Sequence, residues 1–232
     1  MNFHIITLFP GAFESYIGES IIKRAIEDKK IKIKFYNPRD FTKDKFARVD
    51  RPPFGGGPGM VIQAEPVICA IDAALKGIKN QKSRIKKNSS SSDAFPHSKI
   101  IWLSPGGKLF TNEYAGKSAK KCTDIIIVCG RYEGIDARVK KVFKMDDISI
   151  GPFVLTGGEI PAMLIIDCVA RQVQGVLGNF DSLEESRISS HNVYTRPEIF
   201  EYNGKKYKAP KVLLSGNPKL IDEWKQSQSQ PK

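Results

Sequence analysis

Residues that build metal and disulfide sites are scarce in this chain. Its 232 residues include 4 cysteines and 3 histidines. The cysteines have no CxxC spacing and the histidines stand far apart, so no metal site is predicted, because zinc needs paired Cys and His ligands. At least two of the cysteines lie in apolar runs, which is typical of reduced core cysteines in a cytoplasmic protein. The four are Cys69, Cys122, Cys129 and Cys168.

Membrane-spanning runs and the common phosphate-binding motifs are also missing. No apolar run approaches the roughly 18 residues of a membrane helix, and the opening MNFHIITLFP has neither the basic start nor the cleavage site of a secretory signal. We therefore expect a cytoplasmic protein with no membrane partner. None of the three glycine-rich loops of the chain, residues 104–107, 130–134 and 149–161, has the form GxGxxG or carries the Gly-Lys-Ser/Thr of a phosphate-cradling loop, which disfavours a dinucleotide fold and an NTPase.

Positive charge is abundant, but half of the excess lies in one segment. The formal net charge is +12. Between Lys76 and Lys99, seven basic residues accompany a single acid, Asp93, in a serine-rich stretch with little apolar content. Such a composition is typical of a solvated loop. We interpret residues 77–98 as a basic surface insertion, so the total charge is weak support for RNA binding.

Three glycine-rich loops are the most informative feature that the chain does have. The first glycine loop, residues 104–107, follows KIIWL; the second, residues 130–134, follows DIIIVC; the third, residues 149–161, is SIGPFVLTGGEIP. Each follows a predicted strand, and open α/β sheets hold ligands at the carboxyl ends of their strands. Bare glycine backbone beside Phe153, Val154 and Leu155 suits a flat heteroaromatic ligand such as a nucleoside. Each loop alone is also compatible with an ordinary turn or helix cap.

A second basic stretch leads into another glycine-rich segment. Residues 39–51, RDFTKDKFARVDR, are followed by PPFGGGPGM at residues 52–60. Basic residues that alternate with acids usually form a solvated face. A loop that begins with rigid prolines and continues with glycines, which have no side chains, can instead pack against another backbone or a nucleotide. Loops also often carry function. The residues leave both interpretations open.

The predicted elements alternate between strands and helices. Strands are expected near residues 3–9, 31–36, 99–103, 124–129 and 148, and helices near residues 15–28, 65–76, 111–122, 135–143 and 159–174. Apolar strands that alternate with helices predict an α/β fold with a parallel sheet covered by helices on both faces. A polar stretch then leads to a small, mostly helical C-terminal unit, in which Asn217 is expected to cap a helix with Pro218 in its first turn.

Six motifs together resemble the bacterial tRNA (guanine-N1)-methyltransferases of the SPOUT class. In chain order they are GGGPGM, LSPGGKLF, IIIVCGRYEGIDARV, SIGPFVLTGGEIPAMLIIDCVARQVQGVLG, YTRPEIF and VLLSGNPKLIDEW. They span most of the chain, and jointly they are far more specific than any one of them. The resemblance implies S-adenosylmethionine as methyl donor and, as acceptor, N1 of the tRNA guanosine on the 3′ side of the anticodon.

The same resemblance implies an architecture and partners. It implies a knotted catalytic domain over residues 1–177, with a trefoil knot that is an exception to the rule that chains avoid knots. A linker over residues 178–193 and a small tRNA-binding domain over residues 194–232 would follow. The partners would be tRNA and a second copy of the chain, in a homodimer whose active site is shared between subunits. It also suggests assistance by Mg²⁺ without a dedicated protein site.

The resemblance assigns the donor pocket to the three glycine loops. One departure lies inside it, because the family usually has Asp-Tyr where this chain has Pro152-Phe153, so bonds through that backbone N–H or hydroxyl are not expected here. The assigned residues are Leu103, Ser104, Pro105, Gly107, Gly130, Tyr132, Glu133, Ile150, Gly151, Pro152, Phe153, Val154, Leu155, Gly157 and Gly158.

Two catalytic residues are carried over from the family pattern. Loss of the proton from guanine N1 needs a positioned base, and Glu185 takes its position, although Asp181 or Glu184 could hold the role because the stretch before Tyr194 is shorter than the family norm. Arg171 matches an arginine near the transferring methyl, where a guanidinium could hydrogen-bond guanine O6.

Contacts with tRNA phosphate are expected from residues 194–197 and from four lysines of the tail. The lysines are Lys205, Lys206, Lys208 and Lys211. Two other functions stay open at this point, a ribose 2′-O-methyltransferase of the same class and a non-catalytic nucleotide-binding module.

Overall fold

The structure is a computed structural model that describes residues 1–86, 97–177 and 192–228. Contacts between residues divide the chain into two units, Met1–Leu177 and Gly178–Lys232. The roles that the resemblance gives to these segments remain predictions. None of the helices that the structure describes is both long and apolar enough to span a bilayer.

A five-stranded parallel sheet forms the centre of the first unit. The strands of this unit are β1 (Asn2–Ile6), β2 (Lys32–Tyr36), β3 (Asp50–Arg51), β4 (Val61–Ile62), β5 (His97–Leu109), β6 (Cys122–Val128) and β7 (Asp146–Ser149). The order in the sheet is β2-β1-β6-β5-β7, and each neighbouring pair is parallel. Strands β3 and β4 form a separate antiparallel pair.

Within residues 1–86 and 97–177, six α-helices accompany these strands. They are α1 (Glu14–Ile17), α2 (Ser20–Glu27), α3 (Ala64–Lys86), α4 (Asn112–Lys121), α5 (Val139–Val142) and α6 (Glu159–Ala170). Alternate side chains of β6 enter two different clusters: Ile125 and Ile127 pack in one with α6, and Ile126 and Val128 pack in the other with α3. Because successive strand residues point to opposite faces, both faces of the sheet are covered. The predicted parallel α/β architecture is confirmed.

The first glycine loop is an excursion of β5, which the sequence did not predict. We expected the strand to end near residue 103, but it continues to Leu109. Leu103 and Lys108 both pair with Ile148, so the chain leaves the sheet at residue 104 and returns at residue 108. Leu109 pairs with Ser149. The strand continues to Leu109 because this pairing satisfies the hydrogen-bonding groups of its backbone.

The bounds of several helices differ from prediction. Helix α3 was expected to end near residue 76 but continues to Lys86, so the first ten residues of the segment interpreted as an insertion are helical. Helix α6 was expected to reach residue 174 but ends at Ala170.

The helix expected over residues 15–28 is broken after Gly18, because Glu19 is extended, with φ of −128° and ψ of 152°, and Ser20 has φ of 50°. The helix expected over residues 135–143 shrinks to Val139–Val142, because Ile135 bridges to Ile62 and Asp136 N bonds to Ile62 O. Apolar periodicity cannot reveal a competing backbone partner that lies far away in sequence.

The second unit contains a hairpin that the prediction of a small, mostly helical unit missed. Its strands are β8 (Ile199–Tyr202) and β9 (Lys205–Lys208), and α7 (Pro218–Gln228) follows. Asn203 and Gly204 have φ of 50° and 71°, as the two central residues of a type I′ turn require. An Asn-Gly pair between two β-prone runs is a strong hairpin signal. The predicted helix start is confirmed, since Asn217 Oδ1 accepts from Lys219 N at 3.1 Å.

A buried polar cluster lies at the amino end of the sheet, away from the glycine loops. Asp124 accepts from Asn2 Nδ2 at 2.9 Å and from Thr123 Oγ1 at 2.7 Å. His4 Nε2 lies 3.0 Å from Asp124 Oδ1, and His4 Nδ1 lies 3.2 Å from the Tyr36 hydroxyl. A neutral imidazole with its proton on Nε2 satisfies both contacts. Both oxygens of the Asp124 carboxylate therefore have hydrogen-bond partners in the core.

Asp124 should make the stability of the first unit sensitive to acid. Burial alone would raise the pKa of Asp124, but hydrogen bonds from His4, Thr123 and Asn2 outweigh it and lower that pKa to about 2. A lowered folded-state pKa stabilises the protein above about pH 4, and the stabilisation is lost as the pH falls through 2. We expect the wild type to lose about 2 kcal/mol more than Asp124→Asn between these pH values, measured by chemical denaturation. Parallel losses in the two proteins would contradict this assignment.

Candidate active site

A pocket of about 270 Å³ lies where the three glycine loops meet, close to the lower end of small-molecule sites at roughly 300 Å³. The structure brings together all residues assigned to the donor pocket except Gly107, Gly151 and Pro152. Six lining residues were not predicted: Arg131, Gly134, Ile148, Ser149, Thr156 and Pro161. They are neighbours of predicted residues in the second and third loops, so only their position between motif residues could have signalled them.

The second and third glycine loops are joined through their backbones. Gly158 N donates to Gly130 O at 2.9 Å, and Arg131 and Gly157 form a backbone bridge. A Cβ on Gly158 would lie 2.7 Å from Cys129 Cα, which is closer than non-bonded carbons approach. Gly158 therefore permits the contact that closes the inner end of the pocket.

Full burial raises the pKa of the neighbouring Cys129 thiol well above its usual value, consistent with a neutral core cysteine.

Gly107 packs against β7 instead of lining the pocket. A Cβ on Gly107 would lie 2.6 Å from Ile148 N and 2.7 Å from Ile148 C. Because these are backbone atoms in the sheet, they have little freedom to move away. The adjacent Gly106 has nothing within 4 Å of the same position. The two neighbouring glycines thus offer a matched pair for mutation.

Gly107→Ala should distort the first loop where Gly106→Ala does not. We expect Gly107→Ala to lower the free energy of unfolding by about 1–3 kcal/mol through overpacking and to weaken S-adenosylmethionine binding because the loop shifts. Gly106→Ala should stay within about 0.5 kcal/mol of wild type. Denaturation and calorimetry measure both quantities. Equal effects of the two substitutions would show that close packing on β7 is not the reason for a glycine at residue 107.

The segment of residues 52–60 reaches the pocket through the second loop. Glu133 N donates to Met60 O at 3.0 Å, and Ile62 N donates to Gly134 O at 3.0 Å. Gly59 has φ of +86°, and a Cβ there would lie 2.7 Å from Glu133 Oε1. The carboxyl end of this segment therefore packs against another backbone, which is part of the second interpretation that the sequence left open, whereas Phe54 is 98% exposed and residues 55–57 have open space beside them. Tyr132, in the same loop, has φ of 59°, a costly region for a residue with a side chain.

An ion pair between the partly exposed Arg131 and the buried Glu159 supports the pocket wall, and sequence reasoning missed it. Glu159 is 2% exposed; its Oε1 accepts from Thr7 Oγ1 at 2.7 Å, and its Oε2 lies 2.9 Å from Arg131 Nε. Neither Arg131 Nε nor Glu159 Oε2 has an aligned hydrogen-bond partner among the described residues. The pair passes so close to Gly157 that a Cβ there would overlap Arg131 Nε. A carboxylate in the first turn of a largely apolar helix was the available signal.

Arg171, the one predicted catalytic residue that the structure describes, does not line this pocket within one chain. Arg171 lies at the C-terminal end of α6, whereas the pocket touches α6 at its N-terminal end, at Gly158 and Pro161. A helical rise of about 1.5 Å per residue separates Gly158 from Arg171 by about 20 Å, beyond the reach of one side chain. Glu185, together with Asp181 and Glu184, lies outside the described residues. Among the described residues, no group of His, Cys, Asp or Glu side chains is arranged to hold a metal ion.

Parallel strands with a glycine-lined pocket at their carboxyl ends place this chain among the α/β folds whose ligand sites lie at that edge of the sheet. The model of the family "tRNA (Guanine-1)-methyltransferase TrmD" matches residues 1–232. The chain belongs to this family.

Three relatives carry the name "tRNA (guanine-N(1)-)-methyltransferase". The protein of Clostridioides difficile (strain 630) is 42% identical over 233 residues, which cover 99% of this chain and 92% of the relative. The protein of Ruminiclostridium cellulolyticum is 42% identical over 233 residues, with 99% and 91% covered. The protein of Campylobacter jejuni subsp. doylei is 42% identical over 221 residues, with 94% and 87% covered.

Proposed function

We propose that this protein transfers a methyl group from S-adenosylmethionine to N1 of a guanine in tRNA, at the guanosine on the 3′ side of the anticodon. The observation that carries the proposal is the meeting of the three glycine loops at the carboxyl edge of the sheet, in a chain of this family. The position of the guanosine comes from the sequence resemblance.

The residues present fit a nucleoside-type methyl donor. Phe153, Val154 and Leu155 form an exposed apolar wall, with Val154 79% exposed, beside the bare backbone of Gly157 and Gly158. The one arginine in the lining, Arg131, is paired with Glu159, which suits a ligand without a polyphosphate. When bound, S-adenosylmethionine supplies an electrophilic methyl group.

The protein residues would orient the guanine and accept its proton. Methyl transfer to N1 requires that this nitrogen lose its proton, so a carboxylate base at hydrogen-bond distance is needed. We assign this role to Glu185, with Asp181 and Glu184 as the alternatives. Arg171 would donate to guanine O6 and stabilise the negative charge that develops as N1 is deprotonated.

A homodimer would explain how Arg171 can act at a pocket although it lies far from the pocket of its own chain. Because about 15 Å of helix lies between Arg171 and Pro161, the nearest residue of α6 in the pocket of its own chain, we propose that Arg171 serves the pocket of the partner subunit. Exposed apolar residues of α6 fit a surface that a second copy covers, since Ile160 is 58% exposed. A closed two-fold arrangement would create two equivalent shared sites.

Threading of the glycine loops is part of the same proposal. The excursion of β5 at residues 104–107 and the backbone contact between Gly158 and Gly130 support the trefoil knot that the family resemblance implies.

The second unit is proposed as the domain that grips tRNA. Residues 199–208 are all exposed and include Lys205, Lys206 and Lys208, and residues 194–197 precede them. Such cations bind phosphate without reading sequence. Assistance by Mg²⁺ without a protein site stays a prediction.

The proposal is tested by incubating the protein with radiolabelled S-adenosylmethionine and unmodified tRNA. We expect label on the guanine base, at N1 of the nucleoside 3′ to the anticodon, after digestion and chromatography. Label on ribose would instead identify a 2′-O-methyltransferase. Donor binding by calorimetry with no label on RNA would identify a nucleotide-binding module.

A further inference from the structure

Two arginines stack on one aromatic ring beside the pocket. Phe9 lies just beyond the carboxyl end of β1 and is 40% exposed. The Arg39 guanidinium carbon is 5.4 Å from the Phe9 ring centroid, and that of Arg131 is 4.7 Å from it. A guanidinium that stacks on a ring through its face keeps the N–H groups at its edge available for an anion.

The charges in this cluster do not balance. Arg131 is neutralised by Glu159, whose carboxylate is 2.9 Å away. Arg39 donates from Nη1 to Leu8 O at 2.7 Å, and within residues 1–86, 97–177 and 192–228 no carboxylate lies at ion-pair distance from its guanidinium. The cluster of Phe9, Arg39, Arg131 and Glu159 therefore carries one net positive charge.

The cluster is held in place from several sides. Asn37 Oδ1 accepts from Arg39 N at 3.0 Å and caps the short turn Pro38–Phe41. The Thr7 hydroxyl accepts from Phe9 N at 3.0 Å and donates to Glu159 Oε1. One hydroxyl thus connects the stacking ring to the carboxylate that pairs with Arg131. Donors held before binding lose little conformational entropy when an anion arrives.

We propose that Arg39 and Arg131, stacked on Phe9, form a binding site for one phosphate of the RNA backbone at the edge of the pocket. This inference rests on the proposed function and specifies how the RNA is held. One net positive charge complements one phosphodiester, and the planar guanidinium suits its oxygens. Arg131 lines the pocket and Arg39 does not, so the site begins at the pocket wall and extends away from it. That placement suits a polymer whose target base enters the pocket.

Arg39→Gln tests the site, with Lys34→Gln as the matched control. Lys34 is an exposed lysine of β2. Lys34→Gln therefore removes the same charge as Arg39→Gln while leaving the cluster intact. For Arg39→Gln we expect the Kd for tRNA to rise about tenfold and the slope of log Kd against log salt to fall by about 0.7–0.9, the value for one phosphate contact. Lys34→Gln should leave the tRNA Kd within about twofold, and both variants should keep the calorimetric Kd for S-adenosylmethionine.

Several results would overturn the site. They are a tRNA Kd for Arg39→Gln equal to that of Lys34→Gln, and a loss of donor affinity parallel to the loss of tRNA affinity. Millimolar binding of inorganic phosphate that disappears in Arg39→Gln while tRNA binding is unchanged would assign the site to free phosphate instead. If Arg39→Gln unfolds at lower temperature, Arg39→Lys keeps the charge and should give an intermediate tRNA Kd at the wild-type Tm. A wild type that binds tRNA through Arg39 but places no label on guanine would leave this site standing and remove the proposed reaction.

Discussion

Arg171→Ala is expected to lower kcat by roughly 10²–10³ while the Kd for S-adenosylmethionine stays within about threefold of wild type. Loss of one preorganised donor to a developing oxyanion costs about that factor, and Arg171 lies at the far end of α6 from its own pocket. Single-turnover methylation measures the first quantity and calorimetry the second. Arg171→Lys keeps the positive charge but lacks the planar guanidinium, so its kcat should lie between that of Arg171→Ala and that of the wild type. A parallel loss of donor affinity would assign Arg171 to the pocket instead of the target base.

Heterodimers extend this test to the proposed sharing of sites. Leu155→Arg places a long charged side chain on the apolar wall of the pocket and should abolish donor binding. If Arg171 serves the partner's pocket, a heterodimer of Arg171→Ala and Leu155→Arg subunits has one intact site, and its activity should be about half that of wild type. If each subunit uses its own arginine, both sites of the heterodimer are defective and activity stays absent. Co-expression with two different tags provides the material.

Glu185→Gln is expected to reduce kcat by roughly 10²–10⁴, the usual contribution of a general base. The amide has nearly the same shape but cannot accept the N1 proton, so the Kd for tRNA should stay close to wild type. The matched controls are Glu184→Gln and Asp181→Asn, which remove the neighbouring carboxylates and should retain most activity. The acidic limb of the rate against pH should disappear only in the variant that has lost the base. Near-normal activity of Glu185→Gln would move the base to whichever control is inactive.

The architecture of the first unit was predictable because its strands carry their own signal. The apolar runs of β1, β5 and β6 are long enough to be buried on both faces, and helices separate them. Periodicity of this kind depends on local sequence alone. The extent of β5 and α5 was not predictable, because each is set by a backbone partner distant in sequence: Ile148 extends β5 and Ile62 shortens α5.

The residues that line the pocket were predicted more completely than the ion pair that supports its wall. Glycine loops after strands can be read from sequence, and the structure brings most of their predicted residues together. The pairing of Arg131 with Glu159 could not be read, since it depends on Gly157 leaving room for the guanidinium. The hairpin of residues 199–208 was predictable from Asn203-Gly204 but was overlooked because basic residues were interpreted as tail charge. For Glu185, the shortened stretch before Tyr194 removes the spacing that would have separated it from Asp181 and Glu184.

The start of β5 has a practical consequence for how this protein can be altered. The segment interpreted as a basic insertion, residues 77–98, overlaps the start of β5 at His97, which pairs with Cys122 at the amino edge of the sheet. From there to Leu103 the strand advances about 20 Å before it reaches the pocket. Length changes and chemical labels before His97 therefore meet the described sheet at the edge remote from the pocket, so this segment is a suitable point of attachment for a tag that leaves the pocket unaltered.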